Sequence, residues 1–145
     1  MSTRFTSLVE GQDQLARQIE ALPDSEARDA YRALLIFVHQ LRRLKLGQGK
    51  PTAPDDPDAL ADSFEDYFND MDLLSDEELG ADYETVKRVA SSAPPDAKIG
   101  ATAFLVVILA ETIRREGVAT RINGMAGFER VHRMMNRLQR SVGGA

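Results

Sequence analysis

Residues 101–110 (ATAFLVVILA) constrain the fold of this chain more than any other segment. The segment is almost wholly apolar, but it is too short to cross a membrane, which needs about 20 residues. Other parts of the chain must therefore cover it. Its β-branched residues 106–108 also suit a strand, but Asp96 before it and Gly117 after it are helix start and stop signals. We predict a helix over about residues 97–116 that is buried on nearly all sides.

Apolar residues at helical spacing predict two more helices before this segment. In residues 27–44 they recur at steps of three and four, which predicts a central second helix capped by Asp24 or Ser25. Earlier in the chain, Ser7 and Glu10 match the S-x-x-E form of a capping box. A first helix is therefore expected to begin at Ser7.

Proline, glycine and capping residues divide the middle of the chain. Residues 47–57 contain two glycines and three prolines, which predicts an exposed loop. Pro57 is suited to the first position of a third helix. Ser75 and Glu78 form a second capping-box pattern, and we expect a fourth helix there, with a break at Gly80 as an option.

The C-terminal region is predicted to hold one last helix. A turn is expected at Asn123-Gly124, before this helix. A short two-stranded element near residues 118–122 stays open as an alternative to an all-helical chain. Residues 141–145 are expected to fray. No internal repeat is visible. The predicted fold class is therefore all-α, with residues 1–145 forming a single-domain irregular bundle of five to six helices.

Charge is unevenly distributed along the chain. Residues 55–84 contain thirteen acidic and no basic residues, whereas residues 1–54 carry net +2 and residues 85–145 carry net +6, within an overall charge of −5. The acidic middle is either a solvated face or a docking surface for a basic groove on a protein partner. Its spacing does not match a calcium-binding loop. The residues predicted to bind the partner are Asp62, Phe64, Glu65, Asp66, Tyr67, Phe68 and Asp70.

The last helix carries a row of arginines on one face. Arg130, Arg133, Arg137 and Arg140 follow one another at steps of three, four and three. One interpretation is a solvated face that also packs against the acidic middle, and another is a site for an acidic protein. The functional alternative is nucleic-acid binding, because guanidinium groups bind phosphate well. A helix-turn-helix over residues 113–133 matches poorly.

No catalytic or cofactor-binding motif is present in the sequence. The chain has no cysteine, which excludes disulfides and thiolate metal sites and fits a cytoplasmic location, and its two histidines are not in a metal-binding pattern. Glu111 is more simply explained by a pair with Arg115 than by acid–base catalysis. We therefore expect a non-enzymatic interaction or regulatory protein without cofactor or metal. The wide apolar faces of the second and fifth helices suggest a homodimer.

Overall fold

The computed structural model describes residues 3–45, 57–116 and 121–143, and every regular element in these ranges is helical. The predicted all-α fold is confirmed. A short 3₁₀ turn, Met71–Leu73, links the third helix to the fourth. The six α-helices are α1 Thr3–Glu20, α2 Asp24–Lys45, α3 Pro57–Asp70, α4 Asp76–Ser92, α5 Pro95–Glu116 and α6 Arg121–Gly143.

Helix α5 forms the centre of the bundle, so the prediction that the second helix is the central one is wrong. It packs against α1, α2, α4 and α6, and every residue from 103 to 111 is buried. A helix surrounded by four neighbours needs no polar face, and this accounts for the composition of residues 101–110. The prediction of a helix buried on nearly all sides is confirmed. None of the described helices is long and apolar enough to span a membrane.

Close packing of α2 on α5 depends on Gly100. A Cβ atom at this position would lie 2.7 Å from the Ala33 Cβ atom and 2.8 Å from the Leu34 backbone nitrogen. The two helix backbones therefore approach each other where Gly100 has no side chain. Helix α3 packs mainly against α2 and also reaches α5, through an edge-on ring contact between Tyr67 and Phe104.

The apolar faces of α2 and α5 are covered by their own chain. Among the described residues, the large hydrophobic side chains that are exposed are those of Leu73 and Val142. The argument for a homodimer, which depended on apolar faces too wide for one bundle to cover, therefore loses its basis. The dimer itself stays a prediction.

Of the two capping boxes that the sequence predicted, one forms and the other does not. Ser75 caps α4 as predicted, since its hydroxyl accepts from the Glu78 backbone N–H and its own N–H donates to the Glu78 carboxylate, both at 3.0 Å. Ser7, in contrast, lies inside α1, which already begins at Thr3. Gly80 lies within the continuous helix α4 and does not break it.

The C-terminal helix is longer than the sequence predicted. Asn123 and Gly124 lie inside α6, so the turn expected there is wrong, and residues 121–122 are helical. The fraying expected from Ser141 onwards does not occur up to Gly143. Ser141 is buried, and its carbonyl accepts a hydrogen bond from Arg28 of α2. The remainder of the predicted loop, residues 47–56, lies outside the described residues.

Candidate partner-binding surface

The outward face of α3 carries carboxylates that are not engaged by the rest of the described chain. Asp62, Glu65 and Asp70 are exposed, and their spacing places them on the side of the helix away from the bundle. None of the three forms an ion pair or hydrogen bond with a described residue. Asp66 differs from them, because Arg42 Nη1 of α2 lies 3.3 Å from its carboxylate. That pair is largely exposed and contributes little to stability.

Tyr67 belongs to the core rather than to this surface. Its side chain is only 5% exposed, and its ring packs edge-on against Phe104 of α5 with ring centroids 5.1 Å apart. The helical spacing shared by Phe64, Tyr67 and Phe68 places them on the side of α3 that faces the core. Tyr67 is therefore not available as an anchor for a partner.

A buried polar cluster holds Tyr67 in place. Its hydroxyl donates to Asp82 Oδ2 of α4 at 2.5 Å, and Lys45 Nζ of α2 donates to the same oxygen at 2.9 Å. Burial and the hydrogen bond to Asp82 raise the pKa of Tyr67 far above its usual range. The Lys45 ammonium also lies 5.6 Å from the centre of the Tyr67 ring. The cluster ties α2, α3 and α4 together, so its role is structural.

Phe64 and Phe68 lie at the edge of the core. Both are partly buried and pack against it, with their ring centroids 6.3 Å apart. Phe68 also meets Phe128 of α6 at 6.3 Å. Each ring therefore offers a partner only the part of its surface that the bundle leaves uncovered.

The most exposed large hydrophobic residue in the described chain is Leu73, which sequence reasoning missed. It lies in the 3₁₀ turn directly after α3, with 79% of its surface exposed, between exposed Asp72 and half-buried Leu74. Two adjacent leucines after an acidic helix were a usable signal, because only one of them can face inward at such a turn. We call the exposed residues Asp62, Glu65, Asp70, Asp72, Leu73 and Glu77 the acidic surface.

Arg115 of α5 fixes the segment that presents Leu73. Its guanidinium donates to the Leu74 carbonyl at 2.7 Å, to the Met71 carbonyl at 3.2 Å and to the Asp76 carboxylate at 2.6 Å. Its Nε donates to Glu111 Oε2 at 2.7 Å. One side chain therefore joins the end of α5 to both ends of the turn, and this holds the backbone around Leu73 in a defined position.

Glu111 is the buried acidic partner of Arg115. The side chain is 2% exposed, and Arg114 binds its carboxylate with two hydrogen bonds of 2.8 and 2.7 Å. Burial acts to raise the pKa of Glu111, but the hydrogen bonds from Arg114 and Arg115 outweigh it and keep the pKa below its usual value. Glu111 therefore stays ionised and paired, as the i,i+4 spacing to Arg115 predicted.

The arginines of α6 are largely bound within the molecule. Arg130 Nε donates to Asp13 of α1 at 2.7 Å, which lowers the pKa of Asp13. Arg137 Nη1 lies 2.9 Å from Asp24. The carboxylates come from α1 and the start of α2, so the expected packing against the acidic middle is not what the structure shows.

The other two arginines are more exposed. Arg133 lies 3.9 Å from Glu20, with most of its side chain exposed. Arg140 forms no ion pair with a described residue and is exposed. A phosphate-binding face would need most of these guanidinium groups free, and two of the four are already held at hydrogen-bonding distance.

His39 is partly buried and lies at the edge of the core. Its Nδ1 lies 2.7 Å from the hydroxyl of Ser63 on α3. Burial, together with the charges of Arg43 and Arg42, lowers its pKa below the usual value. Within the described ranges, no group of three or more acidic or histidine side chains is arranged to hold a metal ion.

Comparisons of the chain with protein-family models, with curated proteins and with solved structures found no match.

Proposed function

We propose that this protein is a non-enzymatic interaction protein that binds a protein partner with a basic surface through the acidic surface. One observation carries this proposal. The most exposed large hydrophobic side chain of the described chain, Leu73, directly follows a helix whose exposed carboxylates Asp62, Glu65 and Asp70 form no ion pair with a described residue. An isolated exposed apolar residue is common on protein surfaces, but a rigidly held one next to a row of unpaired carboxylates is suited to recognition.

The two kinds of side chain contribute differently to binding. Burying Leu73 in a pocket of the partner would contribute about 1.5–3 kcal/mol. The carboxylates Asp62, Glu65, Asp70 and Glu77 lie at the rim and act over a longer range, so they accelerate association more than they increase affinity. Binding should therefore weaken with added salt, mainly through a slower association rate.

The acidic surface is a better candidate than the arginine row of α6. Two of the four arginines of that row, Arg130 and Arg137, are paired with carboxylates of their own chain, whereas the α3 carboxylates of the acidic surface form no ion pair with a described residue. A partner that displaced Asp13 from Arg130 would have to break a hydrogen bond of 2.7 Å between charged groups. Nucleic-acid binding therefore stays the alternative prediction, with no specific contact in its favour.

The proposal is tested by affinity capture from lysate of the native host with two matched variants. The first variant carries Asp62→Asn, Glu65→Gln and Asp70→Asn together with Leu73→Ser. Its control carries Glu26→Gln, Asp29→Asn and Glu129→Gln, which removes the same number of exposed charges from α2 and α6. Captured proteins are identified by mass spectrometry, with and without nuclease.

The proposal requires a basic protein that is captured by the wild type and the control, resists nuclease, and is lost with the first variant. Circular dichroism should show that both variants keep the helix content of the wild type, because the changed side chains are all exposed. Capture that disappears with nuclease would move the function to the arginine row. Equal capture by all three proteins would remove the acidic surface as the binding site.

A further inference from the structure

A groove lies beside α5 at the end of the bundle that carries Arg115. Helices α1 and α4 both pack along α5 but scarcely touch each other, and the space between them has a volume of about 620 Å³. Leu8 of α1, Leu79 and Tyr83 of α4 and Leu109 of α5 line it. Ligand pockets commonly have volumes of about 300–1,000 Å³, and charged and polar residues line the rest of this groove.

Gly80 keeps this groove open. It lies in the wall formed by α4, and beyond its own stretch of helix no atom of the described residues lies within 4 Å of the position that its Cβ would occupy. A glycine in the middle of a helix lowers stability by roughly 0.5–1 kcal/mol relative to alanine. No close helix contact explains Gly80, in contrast to Gly100, so its effect in the fold is to leave the groove free of a side chain.

The charged residues that line the groove define what fits it. Among the lining residues that the structure describes, Asp76, Glu84 and Glu116 contribute carboxylates and Arg115 contributes a cation. The Asp76 side chain remains 90% exposed although it pairs with Arg115, so it can accept a second cation. An occupant must therefore bring apolar groups for the floor and positive charge for the rim.

The length of the groove favours a helix over a compact ligand. The lining residues of α4 extend from Asp76 to Glu84, which is about 12 Å along the helix axis at 1.5 Å per residue. A single small cation cannot reach carboxylates that far apart. Lysine or arginine side chains separated by two turns of a bound helix can do so, while leucine-like residues at steps of three and four fill the floor.

From this geometry we propose that the α1–α4 groove, defined by Leu8, Leu79, Gly80, Tyr83, Glu84 and Leu109, binds an amphipathic helix of about two turns that carries lysine or arginine beside its apolar stripe. The apolar stripe lies on Leu79 and Leu109, and the cations of the bound helix meet Asp76 and Glu84. This site is separate from the acidic surface, because the Leu73 side chain is not part of the groove. The two proposals can fail independently.

The test is a selection from a library of short random peptides displayed on phage. Peptides are selected on the wild-type protein after depletion on Gly80→Leu, a variant in which the new side chain occupies the groove. Ala81→Leu is the matched control, because it adds a leucine at an exposed position of the same helix that does not line the groove. Selected peptides are then measured by fluorescence anisotropy.

The proposal predicts enriched peptides with apolar residues at helical spacing and an excess of lysine or arginine. Gly80→Leu should weaken their binding at least tenfold, Ala81→Leu should leave it unchanged, and Glu84→Gln should weaken it and reduce its salt dependence. Neutralising Asp62, Glu65 and Asp70 should have no effect on it. The inference is overturned if no peptide prefers the wild type to Gly80→Leu, or if the enriched peptides are acidic.

Discussion

Replacement of Gly100 by alanine is expected to force α2 and α5 apart. The new Cβ would lie 2.7 Å from the Ala33 Cβ, 2.8 Å from the Leu34 nitrogen and 2.9 Å from the Ala33 carbonyl carbon, whereas ordinary contacts begin at 3.4 Å. Each contact is therefore short by roughly half an ångström or more. Two of the three atoms belong to the backbone of α2, so no side-chain rotation relieves them.

The expected loss of stability follows from two opposing effects. Overpacking a core costs about 1–3 kcal/mol, and a backbone clash belongs at the upper end, because separating the helices also weakens the dispersion contacts beside Gly100. Alanine is favoured over glycine inside a helix by about 1 kcal/mol. We therefore expect Gly100→Ala to lower the free energy of unfolding by about 2 kcal/mol, and the melting temperature by about 4–8 °C.

Gly80→Ala and Gly11→Ala are matched controls for this prediction. Both glycines lie inside helices, and in the part of the chain that the structure describes no atom beyond their own stretch of helix lies within 4 Å of either Cβ position. The same substitution should therefore raise the free energy of unfolding by about 0.5–1 kcal/mol at each. Urea unfolding followed by circular dichroism measures all three variants. The reasoning about close helix packing is wrong if Gly100→Ala is as stable as Gly80→Ala.

Three further predictions concern the polar contacts. Ser75→Ala removes the α4 cap and should lower the free energy of unfolding by about 1 kcal/mol; an unchanged urea midpoint would contradict the capping argument. Arg115→Met leaves two backbone carbonyls and one Glu111 oxygen without this hydrogen-bond donor, and it should lower the free energy of unfolding by about 2–4 kcal/mol. A decrease of less than about 1 kcal/mol would show that these contacts are weak. The folded state lowers the pKa of Glu111, so as the pH falls the unfolded chain takes up a proton at this residue first. The stability that ionised Glu111 contributes is therefore present above pH 4.5 and is lost as the pH falls below that value. Glu111→Gln should therefore lose less stability than the wild type in urea unfolding on going from neutral pH to below pH 4.5, and equal losses would refute this assignment.

Local sequence patterns predicted the features that depend on neighbours within one or two helical turns. The capping box at Ser75 and the i,i+4 pair of Glu111 with Arg115 both formed, because helix geometry alone brings those groups together. Predicted helix starts and turns did not form where a longer helix continues through them. Ser7 and Asn123 lie inside helices that extend beyond them, because packing stabilises a helix more than a weak stop signal shortens it.

The candidate binding surface was predicted only in part. The exposure of Asp62, Glu65 and Asp70 follows from the helical period, since these charged residues alternate with an apolar stripe. The same period does not show where the boundary of the buried face lies. Tyr67 is in the core because Asp82 of α4 accepts a hydrogen bond from its hydroxyl, and Lys45 of α2 donates to the same Asp82 oxygen.

The sequence by itself determined the class of fold, the buried helix that contains residues 101–110 and the uneven distribution of charge, since these depend on composition and on periodicity along one helix. Only the tertiary structure decided which charges are free. Arg130 and Arg137 are held by carboxylates more than 100 positions away in the chain, whereas Asp62 and Glu65 have no described cation beside them. The physical reason is that pairing across helices depends on which faces the bundle brings together, and no pattern within one helix carries that information.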